Sequence, residues 1–154
     1  MQGQKNCFAA GLTTLDEAGL GKDSIETLLS MQKDGRLKMR IYAMISDHAP
    51  TLKYYFEKGP YKSERLNVRA VKVYADGTLG SRGACMKSPY NDLKNHYGFL
   101  LQPPNVIQKI ADDAFKYGFQ LCTHAIGDSA NKLILDIYAQ ELKGKNDKRW
   151  RIEH

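Results

Sequence analysis

The sequence predicts an α/β fold of parallel strands joined by helices, and three observations carry the prediction. Strand-like and helix-like segments alternate through five consecutive rounds, glycines close the helical segments, and the composition is that of a globular chain, 42% hydrophobic and 26% charged over 154 residues. Strand, helix, strand repeated in this way implies right-handed crossovers between parallel strands. Two architectures satisfy it, an open doubly wound sheet and a (β/α)8 barrel. No GxGxxG or GxxxxGK[ST] follows any strand, which removes the commonest reason to favour a nucleotide-binding open sheet.

The elements follow in order. GLTTLDEAG, Gly11 to Gly19, opens with a β-branched run suited to a short buried strand. Asp23 with Glu26 three residues later makes a capping-box-like helix start, and Ile25, Leu28, Leu29 and Gln32 follow at helical spacing up to Gly35. KMRIYAMIS, Lys38 to Ser46, is the second strand; Pro50 opens a helix carrying Leu52, Tyr55 and Phe56, and Gly59 ends it. NVRAVKVYADG, Asn67 to Gly77, is the third strand. A long polar stretch separates it from Pro104, which opens a helix with Val106, Ile107, Ile110, Ala114 and Phe115 expected to face inward before Gly118. GFQLCTHAIGD is the fourth strand, with Asp128 as expected N-cap of a helix bearing Leu133, Ile134, Ile137, Tyr138 and Leu142, closed by Gly144. RWRIEH supplies the fifth strand, Arg149 to Glu153.

Charge and cysteines narrow the function classes. The net charge of +6 is spread along the chain, and its densest cluster, KGKNDKRWR, is interrupted by Gly144, Asn146 and Asp147. A phosphate-tracking surface concentrates its cations on one face, so nucleic acid is not an expected partner. Cys7, Cys85 and Cys122 form no CxxC pair, which points to a reducing, cytoplasmic setting rather than a disulfide framework. No apolar run approaches the ~18 residues of a membrane span, and MQGQKNCFAAGL lacks a signal-peptide core. A membrane is not an expected partner either.

In both architectures chemistry gathers at the carboxyl ends of the strands. Three residues stand there: Lys72 in VKVYADG, His124 in CTHAIGD and His154 in RIEH. Side chains alternate along a strand, so Val71 and Val73 point one way while Lys72 and Tyr74 point the other, which places an ammonium in an apolar stretch. Burial drives such a group towards its neutral form; the bland alternative is a salt bridge with Asp76 or Asp16. For His124 the bland alternative is a core histidine bonded to backbone. Histidines at equivalent ends of adjacent parallel strands lie on the order of 5 Å apart at the backbone, within joint reach of one metal. Two imidazoles are one ligand short of a usual catalytic zinc site, and a neutral Lys72 that added CO2 to become a carbamate would close the gap. The segment from Asp76 to Pro103 is far longer than an ordinary connection and is expected to contact substrate. Within it Gly77, Gly80 and Gly83 permit tight turns, and Asp76 and Arg82 are the substrate-binding candidates, Arg82 as a partner for a carboxylate; the bland alternative is a solvated excursion with Arg82 in water. His48 and His96 read as surface loop residues without partners.

VKVYADGTLGSRGA, QLCTHAIGDSAN and RIEH, in this order and spacing, resemble the YtcJ-like branch of the amidohydrolase superfamily (amidohydrolase family 3), which includes the N-substituted formamide deformylases. GLTTLDEAGL is similar to that branch's second-strand segment. The resemblance implies a (β/α)8 TIM barrel of the metal-dependent hydrolase type, with this chain as a single partial domain, residues 1–154, holding about strands two to six. It also implies hydrolysis of C–N bonds, other than peptide bonds, in small amides, formamides or related compounds, with one or two divalent metals, zinc foremost. On the matching positions Lys72, carboxylated, His124 and His154 become metal ligands and catalytic residues. The family's first-strand HxH and eighth-strand aspartate have no counterpart in the 154 residues, so a scaffold that binds metal without turnover is the alternative expectation. An open five-strand piece leaves unpaired edges, and homo-oligomers are expected.

Overall fold

Every strand expected from the sequence forms, and two short elements join them. The computed structural model describes residues 2–154, and the chain divides after Val71 into two compact units.

The first unit begins with a helix absent from the sequence reading, α1 (Gln2–Ala9), followed by β1 (Thr14–Leu20), α2 (Lys22–Lys33), β2 (Arg40–Ser46), α3 (Ala49–Lys58) and β3 (Tyr61–Lys62). β1 and β2 pair in parallel from Thr14 opposite Arg40 to Ala18 opposite Met44, and the register slips before Leu20 meets Ile45. Gly19, at φ 107°, absorbs that slip as only glycine does without strain. β2 is buried through Ala43, Met44 and Ile45. β1 is not the buried strand expected: Asp16, Glu17 and Ala18 are exposed, as suits a strand at the end of the sheet order with one paired side. The two residues of β3 lie antiparallel on the next strand, Tyr61 opposite Val68; so short a run carries no periodicity to read.

The helix starts correct a second expectation. The N-cap of α2 is Gly21, with no side-chain cap, and Asp23 lies within the first turn. Its charge there still favours the positive end of the helix dipole, but the capping box does not form. α3 starts as expected, with Pro50 in its first turn and Gly59 at its end.

β4 (Leu66–Tyr74) crosses the division, and its last three residues open the second unit. There follow α4 (Pro104–Tyr117), β5 (Gln120–His124), α5 (Asp128–Glu141) and β6 (Arg151–Glu153). In this unit the strand order is β4-β5-β6, and β5 pairs with β6 in parallel, His124 opposite Glu153. α4 buries Ile107, Ile110, Ala111 and Ala114, a stripe at i, i+3, i+4 and i+7. Val106, expected inward, is 40% exposed, because one residue before Ile107 is about 100° around the helix from that stripe. Gly118 ends α4 in the left-handed conformation, its N–H bonded to the carbonyls of Ala114 and Phe115. β6 is shorter than expected: Arg149 has φ 55° and cannot continue a strand.

Asp128 does not cap α5. The N-cap is Gly127, and the first free N–H groups of the helix, Ser129 and Ala130, both donate to the carbonyl of Cys85 at 3.1 and 3.2 Å. A residue in the long connection between β4 and α4 thus supplies the cap, and the Asp128 carboxylate accepts the Lys87 N–H instead.

That connection is ordered by its backbone. The Met86 N–H donates to the Tyr97 carbonyl at 2.7 Å, the Phe99 N–H to Gly83 at 3.4 Å, and the Gly77 N–H also to Gly83 at 3.1 Å. A Cβ on Gly77 would sit 3.0 Å from the Gly83 Cα, whereas Gly80 faces open space, so close approach explains Gly77 and Gly83 and not Gly80. His96 is not partnerless, as expected, but bonds through Nε2 to the Arg82 carbonyl at 2.7 Å and lies 5.7 Å from the Tyr90 ring. His48 is exposed before α3.

Candidate active site

The second unit gathers its chemistry where β4, β5 and β6 end. Val71 and Val73 are fully buried on one face of β4. Lys72 and Tyr74 share the other, with the Lys72 Nζ 4.7 Å from the centre of the Tyr74 ring. Tyr74 in turn lies 5.5 Å from the His124 imidazole, and His124 lies 4.8 Å from that of His154 in an edge-to-face arrangement. The parallel register explains this contact, since His154 follows directly on Glu153, the partner of His124. The structure therefore brings the two histidines together and reaches Lys72 through Tyr74, a residue the sequence reading placed on the same face without assigning it a part.

Lys72 is 3% exposed. Burial pushes its pKa below the ordinary lysine value, and the Glu153 carboxylate opposes that shift without cancelling it. Glu153 is itself held by Arg151, Nε to Oε1 at 2.6 Å. Register could have identified it, because its place opposite His124 follows once the two strands are aligned, whereas its link to Lys72 needed the three-dimensional neighbourhood.

His124, 7% exposed, turns its Nε2 towards two acceptors, the Gly77 carbonyl at 3.3 Å and the Asp76 carboxylate at 3.7 Å. A carbonyl only accepts, so a hydrogen bond to Gly77 uses an Nε2–H donor.

Asp76, expected to touch substrate, has no exposed surface. Its Oδ2 accepts the N–H groups of Cys85 and Gly127, both at 2.8 Å, and its Oδ1 accepts that of Ile126 at 3.0 Å. Both oxygens of this carboxylate are engaged by backbone N–H groups. Arg82 adopts φ 56° and pairs with Asp92 through Nε at 3.1 Å and Nη2 at 2.7 Å, both side chains largely exposed. Such an exposed pair contributes little, and a competing carboxylate can exchange for it.

Among the described residues, no three side chains drawn from His, Cys, Asp and Glu form a group able to hold a metal ion. The donor set is two imidazoles, with a buried amine whose pKa is lowered reached from them through the Tyr74 ring. As part of a ligand set this fits a divalent metal, which takes neutral imidazole and requires its ligands deprotonated. Among the described residues no helix is long and apolar enough to cross a membrane.

An α/β chain with imidazoles and a buried lysine at its strand ends has the character of a metal-dependent hydrolase barrel, and comparison agrees. A crystal structure of an uncharacterized metal-dependent hydrolase from Pyrococcus furiosus matches 99% of this chain and 32% of that one, with a TM-score of 0.86 and 28% identity. The chain belongs to the amidohydrolase family, whose model matches residues 2–154. It is 34% identical over 137 residues to Protein LONG AFTER FAR-RED 3 of Arabidopsis thaliana, covering 86% of this chain and 24% of that protein. It is 27% identical over 157 residues to "Putative amidohydrolase YtcJ" of Bacillus subtilis, covering 97% of this chain and 29% of that protein. The chain thus spans 24% to 32% of the length of these relatives, and the α/β barrel class expected from the sequence holds for the part it represents.

Proposed function

We propose that the chain is the central segment of a metal-dependent hydrolase that cleaves C–N bonds, other than peptide bonds, in a small amide, formamide or related substrate. One observation carries the reading: two imidazoles 4.8 Å apart, linked through the Tyr74 ring to a 3% exposed lysine, at the strand ends of an amidohydrolase-family chain.

Lys72, His124 and His154 are the residues that would hold the metal, with zinc favoured by the imidazoles. A divalent ion bound there supplies Lewis acidity at a substrate carbonyl and lowers the pKa of a water molecule. His124 offers Nδ1, with its other nitrogen committed to the Gly77 carbonyl. Lys72 acts after reacting with CO2: its neutral nitrogen forms a bond to the CO2 carbon, releases one proton, and becomes an anionic carbamate with two ligating oxygens. Burial of Lys72 favours the neutral amine that this step consumes. Arg82 orients an acidic substrate group by exchanging Asp92 for it, its guanidinium remaining charged throughout. Self-association through the exposed β1 edge belongs to the same proposal and is checked by sedimentation.

The test is zinc titration of the chain in the presence of 13C-labelled bicarbonate. The expected result is a carbamate carbon signal that Lys72→Ala removes, together with zinc affinity reduced at least tenfold by Lys72→Ala, His124→Ala or His154→Ala. Native affinity in all three variants would sink the assignment. Zinc uptake by the full-length protein without turnover of any N-substituted formamide or amide would identify the non-catalytic scaffold instead.

A further inference from the structure

We propose that Asp76 is a positioning residue that sets the tautomer of His124 and thereby aims Nδ1 at the metal. The inference rests on the reading of His124 as a ligand and extends it to a buried carboxylate whose oxygens accept backbone N–H groups.

Three backbone N–H groups converge on this one carboxylate, from Ile126 and Gly127 just after His124 and from Cys85 in the long connection. Ile126 and Gly127 lie two and three residues beyond the imidazole, so their bonds fix the course of the chain as it leaves His124. The Cys85 bond anchors the connection that lies over the start of α5, where Cys85 also caps the helix. The residue following Asp76 is Gly77, whose carbonyl meets His124 Nε2 at 3.3 Å. One anion therefore holds both sides of that hydrogen bond: the strand end that presents the carbonyl and the turn that presents the ring. The nearer carboxylate oxygen, 3.7 Å from Nε2, is a second acceptor on the same side and also accepts the Ile126 N–H at 3.0 Å. Both acceptors favour the proton on Nε2. Groups that orient a metal-binding histidine through its other nitrogen typically alter metal affinity by roughly 10- to 100-fold when removed.

The measurement is long-range 1H–15N correlation NMR of the chain labelled with 15N-histidine, His124→Ala assigning the signals, followed by titration with zinc chloride. In the native chain without added metal, His124 is expected as the Nε2–H tautomer; an Nδ1–H tautomer there overturns the proposal without recourse to any variant. In Asp76→Asn, which preserves size and removes the charge, the tautomers are expected to mix and zinc affinity to fall at least tenfold, with circular dichroism retained. A folded Asp76→Asn chain that keeps the pure Nε2–H tautomer also overturns it. Should that variant not fold, the native tautomer decides. Failure of the underlying reading looks different: the native tautomer is as expected, yet zinc moves neither the His124 nor the His154 signals.

Discussion

Replacing Gly127 by alanine is expected to destabilise the second unit by about 3 kcal/mol, an unusual cost for the addition of one methyl group. Gly127 has φ −67° and ψ 146°, a conformation alanine adopts freely, so backbone entropy alone would stabilise the variant by about 0.4–1 kcal/mol. The methyl, however, would collide with the backbone nitrogen, carbon and oxygen of Cys85, which cannot rotate away as a side chain could. Relief requires the Cys85 peptide to withdraw, and four hydrogen bonds depend on its position: two from Ser129 and Ala130 to its carbonyl, and two charge-assisted bonds that the Cys85 and Gly127 N–H groups make to Asp76. Neutral bonds contribute about 1 kcal/mol each and charge-assisted ones about 1.5–3. Loss of the two neutral bonds and of one charged bond therefore costs about 4 kcal/mol, offset by the entropic gain. Urea unfolding of the whole chain, followed by circular dichroism, measures the difference, with Gly80→Ala as control because Gly80 meets nothing within 4 Å. The control is expected to be unchanged or slightly stabilised. A Gly127→Ala midpoint at or above that of the native chain would refute the reasoning, since the collision would then have been relieved at no cost.

Other outcomes follow from the same unit. Burial pushes the Cys122 thiol from 9.0 up to about 12, so the folded state keeps a proton that the unfolded chain loses. This contribution is whole below about pH 9 and is lost as pH rises towards 12, amounting to about 4 kcal/mol at most. Urea midpoints between about pH 8 and pH 11 should fall less steeply in Cys122→Ala, though not flatly, because Tyr55 is also pushed up to about 12; an unchanged slope excludes Cys122 as a source. Tyr138→Phe removes a hydroxyl bonded to Thr123 Oγ1 at 2.8 Å and within 3.1 Å of the Arg151 carbonyl. It is expected to cost about 1–2 kcal/mol and to speed amide exchange in residues 151–153, while equal exchange would show that β6 is held by its strand pairing alone.

Much of this architecture was legible because it rests on local periodicity. The α4 stripe, the helix-ending glycines at 59 and 118 and the alternation that turns Lys72 away from Val71 and Val73 all follow from side-chain geometry along a single element. What was not legible depends on pairs distant in sequence. Asp128 has the chemistry of a cap, but the Cys85 carbonyl already meets the free N–H groups of α5, and no local pattern encodes a partner more than forty positions away. Asp76 reads as a loop acid suited to substrate, and only the convergence of three amides shows that its charge is directed inward. β1 reads as buried from its composition, yet burial is decided by what lies beside a strand.

The backbone bonds across the long connection also determine where this protein can change length. Gly83 to Met86 and Tyr97 to Phe99 are laced together, with Gly98 so close to Ala84 that no side chain fits between them. Below that waist lie the Cys85 cap of α5 and the Asp76 bonds, and an insertion would propagate into α5. Above it, residues 87–96 form an outer lobe whose exposed tip includes Asn91 to Asn95. Extra residues there cost little more than the slow logarithmic entropy of a larger loop. A tag or spectroscopic probe inserted between Lys94 and Asn95 should leave the strand ends undisturbed.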